Sequence, residues 1–204
     1  MQINSFRHSG KTDSNATQRE HDNRMIARKA AREGIVLLQN DDNVLPLLRG
    51  SMIALFGSGA GRTIKGGTGS GDVNERENIS IYQGLINAGF SVSSADWIQD
   101  YDERYTQARL AWKQRIIEKA GGDLGSMRFF EAYASNAFEM PDGRTITQAD
   151  VQGAETAIYV LSRIAGEGAD RYEKKGDYEP TDHEIEDLET LGRLVKHIIL
   201  ILNV

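Results

Sequence analysis

A glutamate set between two glycines, Gly166-Glu167-Gly168, follows directly on an apolar run and is flanked by Arg163, Asp170 and Arg171. A carboxyl group on such a turn has little side-chain cover. A bound ligand that displaces water from it raises its pKa toward about 6, where a carboxylic acid donates protons at neutral pH. Arg163, Asp170 and Arg171 are candidate substrate contacts and equally suit a structural ion pair, and spacing alone leaves both readings open. The second candidate is the stretch Gly57–Gly71, in which seven of fifteen residues are glycine. It follows the apolar run Met52–Phe56 and precedes a periodic segment, the setting of a phosphate-binding turn. The spacing does not fit one: Gly57-Ser58-Gly59-Ala60-Gly61 lacks G-x-G-x-x-G, and Lys65 is followed by glycine rather than by Ser or Thr. Either the glycines allow a tight backbone path, or they form a flexible rim that approaches a ligand, with Lys65, Ser70, Asp72 and Asn74 as polar contacts. Glycine density by itself also admits a nucleotide-binding α/β domain.

Other reactive side chains point to bland roles. The four histidines, His8, His21, His183 and His197, are too dispersed for a metal-ligand spacing, and the chain has no cysteine, which excludes disulfides and Cys-ligated zinc. Trp112 with Tyr101 and Tyr105 reads as core packing, whereas Trp97 is open to either reading, core packing or an exposed ring after a strand that stacks on a pyranose. Glu184, Glu186, Asp187 and Glu189 read as a solvated helix face.

The elements that must position these residues follow from periodicity. Thr17 and Glu20 are spaced as a capping box for a helix from about residue 18 to 33, stopped by Gly34. Ile35 to Leu38 is a short apolar run closed by Asn40-Asp41-Asp42-Asn43, the composition of a strand and a turn. Met52–Phe56 is a second strand, Ile79 to Ile86 a helix ended by Gly89, and Phe90 to Ser93 a short strand. Tyr101, Tyr105, Ala108, Trp112 and Ile116 recur every three to four residues and predict a long helix ended by Gly121-Gly122. Residues 123–146 read as an irregular insertion with a short helix near Phe129 to Phe138. Thr156 to Ser162 is a buried strand. Thr181 and Glu184 make a second capping box before a helix, and His197 to Val204 is a last strand. Strands alternating with helices predict an α/β fold, a mostly parallel sheet flanked by helices, incomplete at its C-terminal end because the chain stops on a strand.

The 204 residues are enough for one domain with a real core, and 39% hydrophobic with 26% charged residues excludes a disordered or collagen-like chain. The net charge of −6 argues against nucleic-acid binding, which needs basic clusters. Twenty-one glycines stand against about 14 expected from average usage, and they are packed unevenly. The longest apolar run, Ile198 to Leu202, is far short of the about 20 residues of a membrane helix. Met1 to Arg24 is polar, without an apolar centre, and reads as a flexible leader; the expected location is cytoplasmic.

Three motifs in order resemble a known family. Ala27-Arg28-Lys29-Ala30-Ala31-Arg32-Glu33-Gly34-Ile35-Val36-Leu37-Leu38-Gln39-Asn40, continuing to Val44-Leu45-Pro46-Leu47, is similar to the opening of the second, α/β sandwich domain of glycoside hydrolase family 3. Lys65 to Asn74 and Leu161 to Arg171 resemble two further signatures of its bacterial β-glucosidase members. The resemblance covers residues 25–204, read here as the sandwich domain, and is weakest between about 123 and 150. It implies a retaining hydrolase of terminal β-linked sugars that needs no cofactor. A barrel domain then carries an aspartate nucleophile, and Glu167 is the acid/base that protonates the leaving oxygen and later activates water. The family's S-D-W nucleophile motif is not matched by Ser94-Ala95-Asp96-Trp97, so Asp96 is not a catalytic candidate. The expected partners are a β-linked oligosaccharide or glycoside and a TIM-like barrel of the same polypeptide, with a homodimer also allowed. The chain alone is expected to be inactive. The competing class is a carbohydrate-binding module of the same fold without chemistry.

Overall fold

The computed structural model describes residues 15–67, 77–164 and 171–204. They divide into two units, Met1–Pro46 and Leu47–Val204. In the first, helix α1 spans Gln18–Gly34 and thus begins within the segment read as a leader. Its capping box forms as the sequence dictates: the Glu20 amide donates to Thr17 Oγ1 (3.3 Å), and the Thr17 amide to Glu20 Oε2 (2.6 Å). The expected strand at Ile35 to Leu38 does not form. Its side chains are 62–78% exposed, and among the described residues no strand pairs with it. Apolar composition favours a strand only where a neighbouring backbone completes the ladder.

The second unit is an α/β sheet. Strands β1 (Met52–Phe56), β2 (Ser91–Val92), β3 (Thr156–Ser162) and β4 (His197–Asn203) pair in the order β2-β1-β3-β4, all parallel. All seven residues of β3 are buried, as a central strand in a two-sided sheet requires. Helix α2 (Ile81–Asn87) joins β1 to β2. Helices α3 (Ala95–Lys119) and α4 (Met127–Ala134) lie between β2 and β3, and α5 (Asp182–Leu194) joins β3 to β4. The crossover to β2 runs one way and those to β3 and β4 the other. With right-handed connections, α2 therefore covers one face and α3 and α5 the opposite one. Phe56 and Tyr159 are register partners and share a face; Phe56 meets Trp97 of α3, and Tyr159 meets Asp187 of α5.

The core under α3 is aromatic. Trp97 is 1% exposed, stacks on Tyr101 with centroids 5.5 Å apart, meets Phe56 edge to face at 5.3 Å, and donates its indole N–H to Arg144 O (2.8 Å). Of the two readings open for Trp97 the structure shows core packing, because both its face and its polar atom are consumed inside. Trp112 and Ile116, farther along α3, build a separate cluster with Ala132, Phe129 and Tyr133 of α4, so the short helix expected within residues 123–146 forms as α4 and packs on α3 in its own small core. On β4, Ile198, Leu200 and Leu202 are exposed while Ile199 and Ile201 pack on the core. Among the described residues no strand pairs with the outer edge of β4. No helix among the described residues is long and apolar enough to cross a membrane.

Candidate functional site

The strand order reverses between β1 and β3. In such sheets the crevice outside the carboxyl ends of those two strands is where ligands bind. Two loops meet there: the glycine-rich loop after β1 and the loop after β3. The glycines of the first have a packing reason. Gly57 has φ +91°, and a Cβ on it would fall 2.3 Å from Val160 O; one on Gly59 would fall 2.1 Å from Ser162 Oγ. Residues 57–59 must therefore lie flush against β3, the tight backbone path rather than a rim offered to a ligand. The loop is then sewn to the sheet: Ile64 N donates to Asn203 Oδ1 and Asn203 Nδ2 to Ile64 O, both at 2.9 Å. Lys65, next in the chain, is exposed, and partial desolvation draws its ammonium below the usual lysine range.

Arg163, the first residue after β3, is 5% exposed. Its guanidinium forks onto Glu184, with Nη1 to Oε1 and Nη2 to Oε2 both at 2.7 Å. The remaining donors go to carbonyls: Nη1 to Ser162 O (2.9 Å), Nε to Asp177 O (2.7 Å) and Nη2 to Glu179 O (3.3 Å). All five N–H groups are spent within the chain, so Arg163 has none left for a substrate. Of the two readings open for it, the geometry shows the ion pair. Glu184 is also N3 of α5, where its carboxylate accepts from Thr181 N (2.8 Å). Glu184 and Asp187 are both buried, which corrects the reading of this helix face as solvated; Glu186 and Glu189 are exposed as expected. Arg171 pairs with Asp177 (Nη1 to Oδ1, 3.1 Å), and Tyr172 N donates to Asp177 Oδ2 (2.9 Å). The Tyr172 amide, then Arg171, hold the Asp177 carboxyl below the usual range.

A cavity of about 480 Å³ opens beside these groups, with Tyr101, Tyr159, Arg171, His183 and Asp187 among its walls; Lys65 is not one of them. Tyr159 O–H donates to Asp187 Oδ2 (3.0 Å), and His183 Nε2 lies 3.7 Å from the same oxygen. Burial raises the Asp187 carboxyl above its usual range, against the opposing pull of His183 and of the Tyr159 hydroxyl. Burial likewise pushes the Tyr101 and Tyr159 hydroxyls far above the ordinary phenol value, so both stay neutral at physiological pH. Among the described residues, Tyr101 Oη and His183 Nε2 are buried without a hydrogen-bond partner. No set of three His, Cys, Asp or Glu side chains among the described residues is grouped to hold a metal.

The structure thus brings Arg163 and Arg171 together through residue 177 and leaves Lys65 on a separate loop. Ser70, Asp72, Asn74, Glu167 and Asp170 lie outside the described residues. Sequence reasoning missed Asp177, Tyr159 and Asp187 as parts of this region. The one local signal was the Thr181/Glu184 capping box, which locates Glu184 at the helix start without indicating that its carboxylate also takes Arg163.

A family model described as the glycosyl hydrolase family 3 C-terminal domain matches residues 35–203. Beta-glucosidase A of Butyrivibrio fibrisolvens is 36% identical over 72% of this chain, and a beta-glucosidase of Ruminococcus albus is 31% identical over 84%. The chain spans only 15% and 17% of the lengths of these two proteins. Among solved structures, beta-glucosidase 3B from Thermotoga neapolitana in complex with alpha-D-glucose superposes with a TM-score of 0.63 and 31% identity, over 90% of this chain and 24% of that one. A beta-glucosidase from Paenibacillus barengoltzii gives 0.60 and 27% identity, over 88% of this chain and 18% of that one.

Proposed function

Because the chain belongs to the glycosyl hydrolase family 3 C-terminal domain family, we propose that it is the acid/base-bearing part of a retaining β-glucosidase-like enzyme that hydrolyses terminal β-D-glycosides. Its partner in this reading is a barrel domain that supplies the nucleophile. Glu167 protonates the glycosidic oxygen as the barrel carboxylate attacks the anomeric carbon, and then takes a proton from the water that resolves the glycosyl-enzyme. A bound sugar that displaces water from the glutamate raises its pKa, which suits it to donate a proton at neutral pH. Lys65, Ser70, Asp72, Asn74, Asp170 and Arg171 border the sugar entrance from the two loops. Arg163 acts behind them.

The observation that carries this reading is where the Glu167 loop is rooted. Ile164, its upstream flank, follows the carboxyl end of β3 beside β1, at the reversal in strand order, and Arg171, its downstream flank, is tied to the same end through Asp177, whose carbonyl takes Arg163 Nε. A retaining mechanism requires the second carboxylate about 5 to 5.5 Å from the first, and the reading places it on the barrel. The chain alone therefore hydrolyses nothing. The test is turnover of phenyl β-glucoside, whose leaving oxygen needs a proton, by the full polypeptide carrying this chain and its barrel. Glu167→Gln should lower kcat/KM about 10²- to 10⁴-fold, the worth of a general acid. Unchanged turnover in that variant, or turnover by the 204-residue chain alone, overturns the assignment; binding of glucoside without any turnover favours a binding module.

A further inference from the structure

The segment that follows α4 is pinned at both ends by the two tryptophans of the chain. Trp112 donates its indole N–H to Asn136 O (2.7 Å), and Trp97 donates to Arg144 O (2.8 Å). Between these points Phe138 packs edge to face on Tyr105 and on Trp112, with centroids 5.2 and 5.8 Å apart. Gly143 lies flush on Trp97, where a Cβ would fall 2.3 Å from Cζ2. At the far end Arg144 forks onto Asp150, Nη1 to Oδ2 at 3.0 Å and Nη2 to Oδ1 at 2.6 Å. Every residue from 137 to 143 lines the cavity of about 480 Å³, and Arg171 with residues 174–177 forms the facing wall. That wall is closed on itself: Asp177 N donates to Lys174 O (3.2 Å), and Gly176 N to Glu179 O (2.9 Å). Tyr101, Tyr159 and Asp187, each buried, complete the cleft from α3, β3 and α5. Both walls are therefore fixed by the chain's own hydrogen bonds, which lowers the ordering cost of filling the space between them.

The volume falls in the range of roughly 300 to 1,000 Å³ usual for small-molecule sites, and the walls select the kind of molecule. Several of their charges close on one another or on near neighbours: Arg163 on Glu184, Arg171 on Asp177 and Lys175 on Asp182. The exposed rim carries both signs, Glu139 and Asp142 on one side and Lys174 on the other. An anion or a cation meets repulsion from one side of such a rim. A neutral hydroxyl group instead donates to a carboxylate and accepts from an ammonium, in charge-assisted hydrogen bonds. Phe138, Met140 and Pro141 interleave with the two acids along the same segment and supply apolar surface. A sugar ring combines the matching features, C–H groups that pack on apolar side chains and hydroxyls around its edge. We infer that the cleft between residues 137–143 and the turn ending at Asp177 binds a neutral polyhydroxylated ring of mono- or disaccharide size. Binding here needs neither Glu167 nor a barrel carboxylate.

The experiment titrates the ¹⁵N-labelled 204-residue chain with glucose, with cellobiose and, as a charged control, with sodium acetate, and follows the backbone amide signals by NMR. At the efficiency of drug-sized ligands, glucose should bind with a Kd on the order of 1 mM. The shifts should be saturable, centred on the amides of residues 137–143 and 174–177, and absent with acetate. Asp142→Asn and Glu139→Gln, both at exposed positions, should each raise the Kd about 3- to 10-fold by replacing a charged acceptor with a neutral one. Ala137→Trp, which puts an indole into the cavity from an exposed position, should abolish binding. Melting temperatures of the three variants confirm that they fold, and any one that folds is sufficient for the comparison. The inference is overturned by the absence of saturable shifts up to about 100 mM of either sugar, a hundredfold above that Kd. It is equally overturned by shifts centred on other residues, by affinity unchanged in the folded variants, or by acetate saturating the same amides, which would make the cleft an anion site.

Discussion

Replacing Glu184 with methionine strands the guanidinium of Arg163 in the interior. The two side chains are 6% and 12% exposed, so water does not reach them freely. Removing one member of a buried pair costs about 3 to 5 kcal/mol. Here the lower end applies, because three of the five Arg163 donors keep the carbonyls of Ser162, Asp177 and Glu179. The Thr181 amide at the start of α5 also loses its acceptor, which adds about 1 kcal/mol. The total of about 4 kcal/mol lowers the melting temperature by about 8 to 16 °C in a domain of this size. Arg163→Met should cost about 3 to 5 kcal/mol, since it leaves the carboxylate buried with one N–H. The double variant should cost at least about 2 kcal/mol less than the two singles together, because it removes both charges and fills the space with apolar atoms. Denaturant unfolding of the three variants and the parent measures this. Costs that add within about 0.5 kcal/mol would show that the fork onto Glu184 does not provide the coupling and would refute the account.

Two other expectations concern the same end of the sheet. Gly59→Ala places a methyl group 2.1 Å from Ser162 Oγ and 2.6 Å from Val160 Cγ1, and overpacking of this kind should cost about 1 to 3 kcal/mol; an unchanged melting temperature would mean that the loop is free to lift off β3. Because Tyr101 and Tyr159 hold their protons more tightly in the native state than a free phenol near pH 10 does, the unfolded chain ionises first as pH rises. The native state then binds more protons than the unfolded one, so stability falls above about pH 10. Denaturation midpoints between pH 8 and pH 11 should drop steeply in the parent and less in Tyr101→Phe, and equal slopes would refute the burial argument.

Several features were legible in the sequence because they depend on near neighbours along the chain. Thr17/Glu20 and Thr181/Glu184 satisfy helix-end amides within four residues, so both helix starts appear where the capping boxes place them. β3 and β4 were readable as apolar runs. The three motifs resembling glycoside hydrolase family 3 are local strings too, which is why the family could be read before the sheet was known. The same apolar logic misplaced Ile35 to Leu38, since a strand is made by its neighbour as much as by its own residues.

Side-chain partnerships at the site belonged to the tertiary structure. The spacing of Arg163, Asp170 and Arg171 left ion pair and substrate contact equally open; 14 residues separate Arg163 from the carbonyl of Asp177 and 21 from Glu184, and no local rule spans those distances. Trp97 has an apolar body with a polar tip and Asp187 sits on an amphipathic helix, and whether either side chain faces solvent or core depends on which helix or sheet lies across from it. Local sequence determined the helices, most of the strands and the family. Packing decided which charges were withdrawn from water, because desolvation and its compensation exist only once distant segments have come together.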